Sequence, residues 1–262
     1  MRSRIKRLFM INNFIIFLNI FLCANSSNAR VFRMANETVA AYFGASYSPS
    51  DLKQTHFSGT SGGLTFEKSV LSNYGGEFGV LFTSKVIGMR LGVELIKPTN
   101  LTALEGLDTN AQKLYDFESS ISALVPKLSL EFNFKTTDTW RIFLALGGGT
   151  ATASYKNTYV LNTAGLAAYP GVTDFIEEGT ATALLYDGGL GFEGLMNDTT
   201  TAALTLGYRQ LFIPGYKYKT AVTDFNGTHA VGDSVLNDDG TVKTSKFSGA
   251  TASLLFRFYL GK

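Results

Sequence analysis

The chain has 262 residues, 45% hydrophobic and 17% charged, with a net charge of +2 and one cysteine. Soluble domains usually carry about 25% charged residues and about 7% glycine, whereas this chain is poor in charge and holds 27 glycines. Such values exclude a disordered chain, a collagen, a coiled coil and a disulfide-stapled miniprotein.

Arg2, Arg4, Lys6 and Arg7 form a basic head, followed by an apolar run from Leu8 to Ala24 and a polar stretch ending in Ser27-Asn28-Ala29. This is the three-part layout of a cleaved secretory signal peptide. The mature chain then begins at Arg30, and residues 30–262 form one domain. Cleavage removes four positive charges, taking Lys+Arg from 23 to 19 against 21 Asp+Glu, a net charge of −2. No basic field remains for nucleic acid. The only cysteine, Cys23, leaves too, which suits an oxidising compartment.

From Thr38 onward the hydrophobic period is two, the signature of strands. Thr38–Tyr47 sets Val39, Ala41, Phe43, Ala45 and Tyr47 on one face. Tyr74–Thr83 sets Phe78, Val80 and Phe82 against Glu77 and Gly79, and Gly88–Lys97 sets Met89, Leu91, Val93 and Leu95 against Arg90 and Glu94. Ser119–Phe134 and Trp140–Tyr155 continue the alternation, and Thr180–Leu195, Thr201–Ile213 and Lys246–Leu260 repeat it. Each is long enough for the roughly 9–11 residues that cross a bilayer at a tilt. Short turns at Ser84–Ile87, Lys135–Thr139 and Met196–Thr200 alternate with long connections at 48–73, 98–118, 156–179 and 215–245. Thr60–Ser69 also alternates, as an extra hairpin inside the first long connection would. The fold class is all-β: an eight-stranded, antiparallel, up-and-down transmembrane β-barrel with every short turn at one end.

The polar face consists mostly of Gly, Ala, Ser and Thr with one or two charges per strand, which fits a narrow interior; the Leu/Val/Phe face suits lipid. Phe82, Phe132, Phe134, Trp140, Phe192, Phe256 and Phe258 gather near the short turns as membrane-interface aromatics. Tyr47, Tyr155, Tyr186, Tyr208 and Phe212 form a second interface belt toward the other end. With this rhythm and the closing segment Ala252-Ser253-Leu254-Leu255-Phe256-Arg257-Phe258, the chain resembles the small eight-stranded outer-membrane proteins of Gram-negative bacteria. That family includes the OmpA barrel, OmpX and the opacity-type antigens. The resemblance covers 38–260 and implies placement in the bacterial outer membrane, with its lipid around the wall. It also implies contact of the last strand, at Phe256 and Phe258, with the barrel-assembly machinery, although here Tyr259-Leu260-Gly261-Lys262 follow Phe258.

The search for chemistry is negative. His56 and His229 are the only histidines, both in expected loops and neither beside a serine or carboxylate on a strand. Asn237-Asp238-Asp239-Gly240 reads as a tight turn and supplies too few oxygens for calcium. Gly147-Gly148-Gly149 opens no helix, so it cradles no phosphate, and close strand packing accounts for it better. No catalytic residue, metal site or cofactor follows.

One constellation remains on the inward face. Arg90, Glu131, Arg141, Glu193 and Arg257 lie near the short turns, and Glu77, Glu94, Lys127, Asp187 and Arg209 lie higher. Eight strands enclose an interior that side chains just fill, and buried charges there must pair. The expected function is therefore a non-enzymatic surface barrel that displays long loops to an external ligand or host surface, in adhesion, as a surface antigen, or for envelope integrity. The alternative is a narrow channel or small-molecule transporter, which an apolar lumen or a ring of one sign would favour.

Overall fold

The computed structural model describes residues 33–36, 38–49, 58–61, 64–67, 72–98, 101–237 and 240–260. The signal peptide read at 1–29, His56 and the central residues of the Asn237–Gly240 turn lie outside them. In chain order the elements are β1 (Val39–Pro49), β2 (Ser58–Ser61), β3 (Leu64–Glu67), β4 (Ser72–Thr83), β5 (Ile87–Pro98), β6 (Leu101–Leu107), β7 (Lys113–Thr136), β8 (Trp140–Leu161), a short helix α1 (Thr163–Ala168), β9 (Phe175–Leu195), β10 (Thr200–Ile213), β11 (Lys217–Tyr218), β12 (Val222–Asp224), β13 (Gly227–His229), β14 (Ser245–Lys246) and β15 (Gly249–Tyr259).

Eight of these strands form a closed ring. β1, β4, β5, β7, β8, β9, β10 and β15 pair antiparallel in that order, and β15 returns to β1. One register row runs from Ala40 through Leu81, Arg90, Ser129, Gly147, Asp187 and Arg209 to Gly249. Gly249 lies ten residues from Tyr259, which pairs directly with Ala40 on that same strand. This ten-residue offset is the shear of the barrel, and it tilts the strands enough for eight of them to close. The three short turns share one mouth and are pinned by their own polar side chains. Ser84 Oγ accepts from Ile87 N at 3.1 Å, Thr137 Oγ1 from Trp140 N at 3.0 Å and Asn197 Oδ1 from Thr200 N at 2.9 Å.

The strands are longer than the sequence suggests, and this corrects the expected loops at 98–118 and 156–179. β7 has 24 residues, β8 has 22 and β9 has 21; at about 3.3 Å per residue, β7 alone extends roughly 80 Å. Only about 9–11 residues are needed to cross lipid, so the upper halves stand clear of it. The reason is an inversion of content along one unbroken alternation. On β7 the inward residues are Tyr115, Phe117, Ser119, Ile121, Ala123 and Val125, then Lys127, Ser129 and Glu131, all buried. The outward ones are Asp116, Glu118 and Ser120, then Leu124, Leu128, Leu130, Phe132 and Phe134. Where the outside is lipid the apolar face points out, and where the outside is water it points in. β6 pairs the upper part of β7, and β2 and β3 form the extra hairpin, which touches β6 at Thr65–Leu107.

The connection at 215–245 is also not a free loop. Tyr216, Tyr218, Val222, Val235 and Phe247 are buried in one cluster with Tyr115, Phe117, Ile121, Tyr155 and Tyr159 of the wall. The segment between β10 and β15 thus folds inward as a cap over the long-strand end. Its backbone is tied by Val235 N to Tyr216 O, Lys243 N to Val235 O and Phe247 N to Leu211 O, each at 2.9 Å.

Candidate functional site

The candidate site is the interior of the ring, and its charged residues come from strands far apart in sequence. Strand alternation aims all ten expected charges inward, and nine of them are buried, with Asp187 partly exposed. In the lower layer Arg257 stands at the centre. It donates through Nη2 to Glu131 Oε1 at 2.6 Å and through Nη1 to Glu193 Oε2 at 2.5 Å. Arg141 donates through Nε to Glu193 Oε2 at 2.5 Å and through Nη1 to Thr83 Oγ1 at 2.6 Å, with Glu131 Oε2 3.4 Å from its Nη2. Arg90 Nε lies 3.3 Å from Glu131 Oε1. Tyr259 Oη donates to Glu193 Oε1 at 2.8 Å, and Thr201 donates to the same carboxylate. Three guanidiniums therefore share two carboxylates.

The upper layer has the opposite excess. Lys127 Nζ lies 3.6 Å from Glu77 Oε2 and 3.4 Å from Glu94 Oε2, and it also pairs with Asp187. Arg209 pairs with Glu94, whose Oε1 also accepts from Ser46 Oγ at 3.1 Å. Three carboxylates thus face two cations. Tyr42 joins the layers: its Oη donates to Glu77 Oε1 at 2.8 Å, and the guanidinium carbon of Arg90 lies 5.6 Å from its ring centroid. Opposite excesses so close together cancel, which lowers the cost of burying ten charges in one lumen. Glycine makes the upper layer possible at one position: a Cβ on Gly147 would stand 2.1 Å from Asp187 Oδ1 and 3.0 Å from Lys127 Cε. The cavity left here, lined by Glu77, Glu94, Lys127, Asp187 and Arg209, measures about 30 Å³. That is room for a water molecule or two.

Above the upper layer, β5, β7, β9 and β10 turn apolar at their next inward position, while β1 and β4 place the buried pair Ser48 and Asn73 there. Ile96 follows Glu94, Val125 precedes Lys127, Leu185 precedes Asp187 and Leu211 follows Arg209, and all four are buried with Phe247 of the cap. A third polar cluster, which the sequence reading missed, then fastens the cap to the wall. Lys243 Nζ donates to Glu177 Oε1 at 2.6 Å, Tyr155 Oη donates to the same oxygen at 2.5 Å and Tyr159 Oη to Oε2 at 3.3 Å. Once the period of β9 is carried upward, Glu177 shares a face with Ala181, Leu185 and Asp187, so it was findable; Lys243 lies in aperiodic chain and was not. Tyr155, expected among the interface aromatics, belongs here in the interior. It faces inward because it is level with water outside, where the buried face is the aromatic one.

Outside, Tyr47, Tyr74, Tyr186 and Tyr208 are exposed near the upper edge of the apolar wall, with Tyr47 and Tyr74 rings 5.7 Å apart. Phe82, Phe132, Phe134 and Phe192 are exposed near the short turns. Trp140, Phe256 and Phe258 are half-buried, because Trp140 stacks on Phe192 at 6.2 Å and Phe43 packs on Phe256 and Phe258 at 5.8 and 5.6 Å. Between the two sets the wall exposes Leu91, Leu95, Leu128, Leu146, Leu190, Leu204, Leu206 and Leu254. An apolar girdle of that extent is foreign to a soluble surface and fits lipid. Among the described residues, no group of three or more His, Cys, Asp or Glu is placed to hold a metal ion. His229 Nε2 lies 3.1 Å from Asp224 Oδ1 and its ring stacks on Tyr218 at 4.8 Å, within the cap.

No family model matches the chain, and no curated protein does. Among solved structures it is similar to the outer membrane protein OprG from Pseudomonas aeruginosa, at 13% identity and a TM-score of 0.42 over 88% of this chain and 100% of that one. It is similar to a major outer membrane protein from Thermus thermophilus, at 11% identity and a TM-score of 0.42 over 84% and 99%. The attachment invasion locus protein Ail of Yersinia pestis is similar at 9% identity and a TM-score of 0.38 over 85% and 97%.

Proposed function

We propose that this chain is a non-enzymatic surface barrel of a Gram-negative outer membrane: a closed post that carries a rigid, water-facing β-wall and cap above the lipid. One observation carries this reading. The interior is occupied in succession by two mixed-sign ionic layers, an apolar shelf and a folded cap, so the molecule encloses a support and not a conduit. Its working surface is then the outside of the upper wall, where β7, β8 and β9 stand together, and its partner is an external ligand or host surface. Residues 1–29 serve as the export signal in this reading, and the strand ending at Phe256 and Phe258 meets the assembly machinery.

Lysine labelling of intact cells with a reagent that does not cross membranes tests it. Lys156, Lys217 and Lys219 are exposed at the long-strand end, and Lys85 and Lys135 at the short-turn end. The first three should label in whole cells and the other two only after lysis. Labelling at Lys85 and Lys135 of intact cells, or recovery of the protein as a soluble periplasmic species, would overturn the proposal.

A further inference from the structure

The chain that enters β1 first passes beneath the short-turn mouth. Met34–Asn36 is a single 3-10 turn. Met34 N donates to Asp138 O at 3.0 Å, while Thr38 O accepts from Thr83 N at 2.8 Å. Asp138 lies in the turn between β7 and β8, and in the ring of eight β8 is the strand opposite β1. Met34 is thus held under the wall facing the one that the chain joins at Thr38. Its side chain is 2% exposed and packs in one cluster with Ala40, Leu81, Phe143, Leu255 and Tyr259, drawn from β1, β4, β8 and β15. Two of these neighbours touch the lower ionic layer: Tyr259 donates to Glu193, and the Phe143 ring lies 5.7 and 5.2 Å from the guanidinium carbons of Arg141 and Arg257.

We infer that Met34 is a stopper for the short-turn mouth, seated from outside the barrel by the residues before β1 and separate from the ionic layers above it. A thioether suits the position, because its flexible chain fills an irregular gap between aromatic and aliphatic neighbours and brings no charge near three arginines. The stopper keeps water and solutes on that side away from Glu131, Glu193 and their arginines. Withdrawing residues 33–36 would uncover the lower layer without breaking a strand. That this mouth faces the periplasm rests on the outer-membrane reading above; that Met34 closes it does not.

The chain supplies its own reference for a test. Met196 lies in a turn of the same mouth and is 61% exposed, whereas Met89 points to the lipid side. Folded protein in detergent micelles is treated with hydrogen peroxide, and sulfoxide at each methionine is followed by peptide mass spectrometry. Met34 should oxidise at least about tenfold more slowly than Met196, as expected for a group that reacts only after local opening. A second arm places a cysteine at Thr83, which faces the lower layer, and measures maleimide labelling with and without Met34→Lys. Labelling of T83C should be slow alone and fast with M34K, while heat-resistant migration in gels shows that both variants keep the barrel. Equal oxidation of Met34 and Met196, or equal labelling with and without M34K, would overturn the stopper. Oxidation of Met196 by a reagent confined outside intact cells would overturn only the orientation.

Discussion

At the scale of single residues, the ionic layers depend on shared partners. Glu131 accepts from Arg257 at 2.6 and 3.0 Å and has Arg90 and Arg141 at 3.3 and 3.4 Å. Glu131→Ala should therefore leave buried cations under-compensated and destabilise the barrel by about 3–5 kcal/mol in urea unfolding from lipid or detergent. Adding Arg257→Ala should recover part of that loss, with a coupling of roughly 1–3 kcal/mol; strictly additive losses would show that the pair does not interact. The sequence made these ten residues legible because strand alternation aims a charge inward whatever its partner. It does not show which partners meet: the closure of β15 onto β1 brings Arg257 onto both Glu131 and Glu193, with Arg141 the more distant partner of Glu131. Pairing across a barrel depends on shear and lumen diameter, and neither is written in a local pattern.

At the scale of elements, the inversion along β7, β8 and β9 separates a lipid-facing half from a water-facing half. Leu91→Arg and Leu206→Arg place a charge on the apolar girdle and should each cost about 2–4 kcal/mol. Glu118→Arg, outward on the upper half of β7, should change unfolding by no more than about 0.5 kcal/mol; equal effects at all three sites would mean that the boundary is misplaced. The upper halves were illegible as strands for a definite reason. Their outward residues Asp116, Glu118, Lys156 and Glu178 make the segments polar in composition, which imitates a loop although the period of two persists. The cap makes its own prediction. Burial pushes the phenols of Tyr216 and Tyr218 above their ordinary range, and the hydrogen bond from Tyr218 to Asp224 adds to the shift there. A loosened cap would release these protons above about pH 10, the usual tyrosine value, while the packed cap keeps them. Its closure is thus at full strength below pH 10 and weakens as the pH rises beyond it. Tyrosinate absorbance should therefore go on rising well above pH 10 as the cap loosens, while the strand signal persists. Completion of all tyrosine ionisation near pH 10 would contradict this.

At the scale of the whole molecule, the ring, the girdle and the filled interior belong to one solution of the same constraint. A closed ring leaves no unpaired strand edge in lipid, and eight strands close around a space that side chains fill. Tilt from the ten-residue offset, glycine at Gly147 and layers of opposite excess charge let that space hold ten ionisable groups, with a cavity of about 30 Å³ at the upper layer. With this interior shut, the protein would act through its outer wall. Single-channel recording of the purified, full-length barrel in a planar bilayer tests whether the interior is shut. The unmodified protein should carry no steady current, with at most small, irregular events; a steady, large, ion-selective conductance would show the interior to be open.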